Sequence, residues 1–263
     1  MDHFSLKNGV VHAEDVSLVT IAEEVGTPVY VYSRGTLERH ARVFMDALSG
    51  IGPTHFAFAI KANPNLAVLR VLANCGFGAD VVSGGEIARA LAAGMKPEDI
   101  VFSGVGKTRA ELKSALEKGV GQFNIELEEE GEVLAALATD MGKRATATLR
   151  VNPDVNAGTH AKISTGMKEN KFGVAIADAP GIFARLSALP GLNLCGIALH
   201  IGSQLYDLSP LEAAYARVGA LVASLRAAGH LIDRVDLGGG LGVPYKRDSV
   251  PPTPADYGQM VAR

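Results

Sequence analysis

Short apolar, β-favouring runs alternate along the chain with longer stretches whose apolar positions recur three and four residues apart. The runs predict strands over residues 55–60, 79–82, 99–102, 122–125, 145–151, 195–200 and 234–237. The periodic stretches predict helices over 66–74, 85–93, 109–118 and 128–141, and a longer one over 210–228 that Gly229 can cap. One strand–helix unit recurs every roughly 20–25 residues, the rhythm of parallel strands joined by right-handed crossovers. An open doubly wound sheet and a (β/α)8 TIM-type barrel both satisfy that rhythm. The regular succession of units favours the α/β barrel.

The two ends depart from the rhythm. Thr253 and Asp256 have capping-box spacing and Pro254 stands at the first helical position, so a helix is predicted to begin there. No eighth strand follows, and the expectation is a barrel incomplete at its C-terminal end. Residues 1–35 fit the barrel poorly: 29–32 is strand-like and 18–26 reads as a short helix ending at glycine. The expected division is an N-terminal segment, 1–35, that belongs partly with another domain, and a barrel domain over 36–263.

Composition removes several function classes. Charged residues are 20% and hydrophobic residues 48%, which excludes a disordered chain. Lys+Arg 25 against Asp+Glu 28 leaves a net charge of −3, so no basic surplus points to nucleic acid. With no tryptophan and 6% aromatics, an aromatic platform for single strands is disfavoured. The two cysteines, Cys75 and Cys195, cannot form a disulfide framework and read as packing thiols. No apolar run approaches the roughly 18 residues of a membrane span, and residues 1–7 lack the apolar core of a signal peptide. The expectation is a soluble, cytoplasmic protein.

In a barrel the chemistry gathers at the C-terminal ends of the strands, so the residues after each strand sample one site. They include Lys61, Asp80, Ser83, Glu86, Glu126, Arg150, Asn152, His200, Ser203 and the run Gly238-Gly239-Gly240-Leu241-Gly242. A lysine at the mouth of the apolar run Phe56–Ile60 can lose part of its hydration and become a nucleophile toward carbonyls. Consecutive glycines let backbone amides approach an anion. The spacing does not fit a dinucleotide fingerprint, and Pro244 interrupts the place where its helix would start. Ser83 and Glu86 also have capping-box spacing. Arg150 suits either a ligand anion or Glu126 on the neighbouring strand. The acidic run Glu128-Glu129-Glu130 reads as the solvated start of a helix. Residues 152–174 form a long polar insertion of the kind that often carries function. No Cys/His cluster has zinc-ligand spacing, so no metal is expected.

Together these pieces resemble the fold-type III pyridoxal-phosphate decarboxylases, in particular the branch that acts on diaminopimelate. Phe58-Ala59-Ile60-Lys61-Ala62-Asn63 is similar to that family's Schiff-base lysine motif, and Gly78-Ala79-Asp80-Val81-Val82-Ser83-Gly84-Gly85-Glu86 to its second-strand signature. Arg150-Val151-Asn152-Pro153-Asp154, Thr159-His160, Ile163-Ser164-Thr165-Gly166 and Lys171-Phe172-Gly173 are the most discriminating stretches. His200-Ile201-Gly202-Ser203-Gln204 and the glycine run complete the set in family order. The resemblance implies pyridoxal 5′-phosphate bound covalently through Lys61, His200 stacked on its ring, and Ser203 with Gly238, Gly239 and Gly240 on its phosphate. It implies Asp80, Glu86 and Arg150 as supporting groups, and Lys61 and His200 as the catalytic pair. The implied substrate is meso-2,6-diaminopimelate, converted at its D-centre to L-lysine and carbon dioxide, and the implied assembly is a homodimer.

The family's later motifs, a Glu-Pro-Gly-Arg run and a Cys-Glu-Ser stretch with a downstream tyrosine, do not occur here. By the same resemblance, residues 1–35 join the domain that carries them, and the 263-residue chain alone is expected to be inactive. Competing readings are an ornithine or arginine decarboxylase, an alanine racemase, or a non-catalytic pyridoxal-phosphate-binding protein.

Overall fold

The computed structural model describes residues 3–156, 172–245 and 249–263. Residues 4–17 form a small antiparallel sheet of β1 (Phe4–Lys7), β2 (Val10–Ala13) and β3 (Val16–Ser17). It leads into α1 (Leu18–Val25), where the Ser17 hydroxyl accepts from the Thr20 amide, and Gly26 follows the last turn. Next comes α2 (Arg34–Leu48), capped by Ser33. Glu14 fastens the small sheet to that cap, because its Oε1 accepts from Ser33 Oγ at 2.7 Å and from the Gly35 amide at 2.8 Å.

From there strands and helices alternate: β4 (Ala57–Ala59), α3 (Leu66–Asn74), β5 (Gly78–Val81), α4 (Gly84–Ala92), β6 (Ile100–Phe102), α5 (Arg109–Lys118), β7 (Gln122–Ile125), α6 (Glu128–Asp140) and β8 (Ala145–Asn152). After β8 come β9 (Val174–Ala175), α7 (Ala179–Ser187), β10 (Leu192–Ala198), α8 (Ser209–Ala227), β11 (Arg234–Asp236) and α9 (Pro254–Ala262). The strands pair in parallel in the order β4-β5-β6-β7-β8-β10-β11, with short β9 added on β8. This is the curled α/β sheet of an incomplete TIM-type barrel.

Burial on both faces explains why the strands read as continuous apolar runs rather than alternating ones. All three residues of β6 are buried, and all four of β7. The helices turn one stripe inward, such as Leu112, Ala115 and Leu116 on α5, and Leu134, Leu137 and Ala138 on α6. Emptying one such leucine position to alanine costs about 2–5 kcal/mol in cores of this kind.

Among the described residues β4 and β11 each have one unpaired edge. Helix α9 packs against α2 and reaches α8. Tyr257 stacks on Phe44 of α2 with ring centroids 6.0 Å apart, and its hydroxyl lies 2.9 Å from that of Tyr215 on α8. Tyr215 in turn donates to the Leu237 carbonyl at 3.0 Å. The close approach needs Gly258, where a Cβ would fall 2.0 Å from the Ala47 carbonyl oxygen. The predicted cap is present: Thr253 Oγ1 accepts from the Asp256 amide, and Asp256 accepts from the Thr253 amide.

Several expectations need correction. Residues 29–32 belong to no strand, although their valines and tyrosines have strand propensity. Propensity alone did not suffice, since no neighbouring strand pairs with them among the described residues. Helix α2, from Arg34 to Leu48, was not among the expected helices. Its Leu37, Ala41, Phe44 and Leu48 recur at helical spacing. The sheet β1–β3 and helix α7 were not expected either. Of the polar insertion, residues 157–171 lie outside the described residues, and with them Thr159, His160, Ile163–Gly166 and Lys171.

Candidate functional site

Lys61 stands in a single 3-10 turn, Ile60–Ala62, immediately after β4. Ile60 is fully buried and anchors the turn, while Lys61 itself is exposed at the rim. The expected loss of hydration around the lysine is therefore not supplied by the described residues. The same end of the sheet carries Asp80 on β5, Ser103 after β6, Asn124 and Glu126 on and after β7, and Arg150 on β8. His200 and Ser203 follow β10, while Asp236 and the glycine run end β11. These groups converge: the charges of Lys61, Arg150 and Asp236 act on both Asp80 and His200.

Burial pushes the Asp80 carboxyl up to about 6. The Ser103 hydroxyl, which donates to Asp80 Oδ1 at 2.5 Å, opposes that shift. The negative charge of Asp236 adds to it, and the cations Lys61 and Arg150 counter it. Although part of Asp80 reaches the open rim, its surroundings leave it able to hold or release a proton near neutral pH.

His200 moves the other way for a cation. Burial, then the nearby Arg150 charge, lowers its pKa and keeps the ring neutral. Its Nδ1 lies 2.7 Å from the Gly238 carbonyl oxygen. A carbonyl only accepts, so Nδ1 carries the proton and Nε2 is left as an acceptor.

The glycine run has φ of +72° at Gly238, +65° at Gly239 and +107° at Gly240. A Cβ at Gly238 would sit 1.9 Å from the Leu199 carbonyl oxygen, and one at Gly240 would sit 2.3 Å from that of Gly202. A Cβ at Gly239 would meet nothing within 4 Å, so the space beside it is open. The Gly238 amide donates to Asp236 Oδ1 at 3.0 Å. The amides of Gly239 and Gly240 and the hydroxyl of exposed Ser203 have no partner among the described residues. The two loops are locked in register, with Leu205 N donating to Gly240 O at 2.9 Å and Gly242 N to Leu205 O at 3.0 Å. Gln204 and Val243 add a reciprocal pair of bonds at 2.5 and 3.0 Å. Unpartnered amides beside a hydroxyl are a ready anion site.

Of the two readings open for Arg150, the structure takes the ion pair. Its Nη1 donates to Glu126 Oε1 at 2.6 Å, and its guanidinium lies 5.1 Å from the Phe172 ring centroid. Glu126 is fully buried and also accepts from the amides of Gly104 and Gly173, each at 3.1 Å. Ser83 caps α4 by accepting from the Glu86 amide at 3.2 Å. The Glu86 carboxylate reaches back one residue further than a standard box and accepts from Val82 N at 2.7 Å.

The acidic run after Leu127 is not simply solvated. Glu130 is buried against Lys107, whose Nζ donates to Glu130 Oε1 at 2.7 Å, Gly104 O at 2.7 Å and Asn124 O at 2.8 Å. Glu128 pairs instead with Arg185 across the gap to α7. Lys107→Met would leave Glu130 buried and unpaired, at a cost of about 3–5 kcal/mol. The expected result in thermal unfolding is a Tm lower by roughly 10 °C. The double replacement Lys107→Met/Glu130→Leu is expected to recover most of it. An unchanged Tm for the single variant would contradict the pairing.

Sequence reasoning missed Ser103, Asn124, Asp236 and Lys107. The signal was present in β7, where Gln122 and Asn124 are polar at i and i+2 within a buried strand. That period points a polar row to one face of the sheet.

These groups fit the chemical parts of pyridoxal phosphate. An exposed primary amine suits its aldehyde, a neutral imidazole suits its planar ring, and the amides of Gly239 and Gly240 with Ser203 suit its phosphate. The comparisons with known proteins agree. The family described as "Pyridoxal-dependent decarboxylase, pyridoxal binding domain" matches residues 34–262. A diaminopimelate decarboxylase of Zymomonas mobilis is 53% identical over 99% of this chain and 62% of its own length. One from Pseudomonas aeruginosa is 52% identical over 98% of this chain and 61% of its own. The crystal structure of diaminopimelate decarboxylase from M. jannaschii superposes with a TM-score of 0.92 at 36% identity, covering 99% of this chain and 62% of that one. That from Helicobacter pylori, complexed with L-lysine, gives 0.89 at 38% identity, over 92% and 61%. The chain thus spans about 62% of the length of the curated relatives it matches. With that fold, that rim and that match over residues 34–262, the chain belongs to the pyridoxal-dependent decarboxylase family and comprises its pyridoxal-binding domain.

Proposed function

We propose that this chain is the cofactor-binding part of an enzyme that converts meso-2,6-diaminopimelate to L-lysine and carbon dioxide. The observation that carries the reading is the convergence of Lys61, Asp80, His200 and the open glycine loop on one rim. The printed names of the relatives, diaminopimelate decarboxylases, support the substrate. Bound pyridoxal phosphate supplies an electron sink for the carbanion left when carbon dioxide departs.

The chain's own residues do the rest. Lys61 would hold the cofactor covalently through its amine. His200, held by the Gly238 carbonyl and kept neutral, presents its ring face to the cofactor. Ser203 and the amides of Gly239 and Gly240 would hold the phosphate, with Gly238 shaping the loop through its bond to Asp236. Asp80 keeps or releases a proton beside Lys61. Arg150, fixed by Glu126, sets the local charge, and Glu86 orders the turn after β5. The complete enzyme acts in the cytoplasm as a homodimer. Residues 1–35 contact the length that the relatives carry beyond this chain, and these 263 residues alone form no lysine.

The test joins residues 1–263 to the remaining length of the Zymomonas mobilis relative and supplies pyridoxal phosphate. Stoichiometric L-lysine and carbon dioxide from meso-2,6-diaminopimelate are expected, with no product from ornithine or arginine. Amine products from those amino acids, or cofactor binding with no turnover of any of the three, would overturn the reading.

A further inference from the structure

Beneath the rim lies a hydrogen-bonded row that crosses the barrel interior. Asp80 on β5 accepts from Ser103 Oγ at 2.5 Å. Ser103 Oγ accepts from Asn124 Nδ2 at 3.0 Å, and the same amide group donates to Asp236 Oδ2 at 2.8 Å. Asn124 is itself fixed, because its Oδ1 accepts from Thr148 Oγ1 at 2.6 Å and from Gln122 Nε2 at 2.8 Å. Gln122 is fixed in turn by Arg234 Nη1 at 3.1 Å. Asn124 donates two bonds and accepts two, so a flip of its amide would lose all four. At the far end, Asp236 Oδ1 accepts from the Gly238 amide at 3.0 Å, the first amide of the glycine loop.

We propose that Asp236 is a positioning residue that holds the glycine loop in its anion-accepting form and, through Asn124 and Ser103, couples that loop to Asp80 beside Lys61. This rests on the reading of the rim as the cofactor site. Each carboxylate oxygen of Asp236 has its own task. Oδ1 pins Gly238 at a φ that only glycine adopts freely, and the next two amides stay without a partner among the described residues. Oδ2 is locked by Asn124, which stops the carboxylate from rotating off the loop. The charge of Asp236 reaches Asp80 across the same row. Among the described residues, Asp80 is faced by Ser103 from the loop after β6, Lys61 from the turn after β4, Arg150 from β8 and Asp236 from β11.

An asparagine at 236 can accept from Gly238 or from Asn124 but not both, and it carries no charge. The test is a carbon-13 carboxyl titration of Asp80 in the cofactor-free 263-residue chain, in the parent, in Asp236→Asn and in Ser103→Ala. Removing the like charge is expected to move the Asp80 titration below its parent value, and removing the opposing hydroxyl is expected to move it above. General loosening of the barrel would move both the same way, which would overturn the coupling. The second readout is pyridoxal-phosphate affinity, expected to fall about tenfold in Asp236→Asn for the loss of one charge-assisted bond. Unchanged affinity would overturn the positioning role. If the parent itself fails to bind the cofactor while the opposite shifts are seen, the site reading fails and the coupling stands.

Discussion

Replacing Gly238 by alanine is expected to weaken pyridoxal-phosphate binding by about 100-fold or more. The left-handed φ of +72° costs an L-residue about 1–2 kcal/mol by itself. The new methyl would also lie 1.9 Å from the Leu199 carbonyl oxygen, so the loop must move away from β10. That movement breaks the bond from the Gly238 amide to Asp236 and the one from His200 to the Gly238 carbonyl. A charge-assisted bond of the first kind contributes about 1.5–3 kcal/mol. Gly239→Ala is the matched control. Its φ of +65° carries the same backbone penalty, but its methyl meets nothing within 4 Å, so an effect nearer tenfold is expected. Cofactor titration followed by absorbance reads both. Equal affinities for the parent and Gly238→Ala would show that the glycine run is an ordinary turn.

The second large effect is at Lys61. Lys61→Ala is expected to abolish covalent retention of the cofactor while leaving the phosphate contacts in place. The parent protein is expected to keep the cofactor through exhaustive dialysis, and the variant to bind it reversibly and release it. In an enzyme of the relatives' full length, the same replacement is expected to abolish most turnover, because the covalent holding point of the cofactor is gone. Retention through dialysis in Lys61→Ala would place the covalent link elsewhere. Buried Lys107, already committed to Glu130 and two carbonyl oxygens, would be a poor candidate for it.

The alternation of strands and helices was legible because most of the parallel strands, β5 to β8 and β10, are buried on both faces and most helices on one. Those two patterns survive in a single sequence. The rim residues were legible for the same reason: once the strands are placed, Lys61, Asp80, Arg150, His200 and Gly238–Gly240 fall at their ends. Three things were not. The sheet β1–β3 is built from strands of two to four residues, with β1 fully exposed, which is too short and too polar for a period to emerge. Side-chain pairing was also hidden. Arg150 could have faced a ligand or Glu126, and only the distance between neighbouring strands decides that. The interior row from Asp80 to Asp236 joins residues up to 112 positions apart, so no local pattern announces it. The polar pair Gln122 and Asn124 was the one visible sign that the barrel is not apolar throughout. Helix α2 was not anticipated, although Leu37, Ala41, Phe44 and Leu48 recur along it at helical spacing.

The rim is thus a set of prepared positions at one end of the sheet: an amine in the turn after the first parallel strand, a neutral imidazole held by the glycine loop, and a row of hydrogen bonds joining that loop to a carboxyl beside the amine. The most direct test is intact mass and peptide mapping of the 263-residue chain after incubation with pyridoxal phosphate and borohydride reduction. One reduced phosphopyridoxyl group on the peptide containing Lys61 is the predicted result. No adduct, or adducts spread over exposed lysines such as Lys7, Lys96 and Lys118, would contradict it.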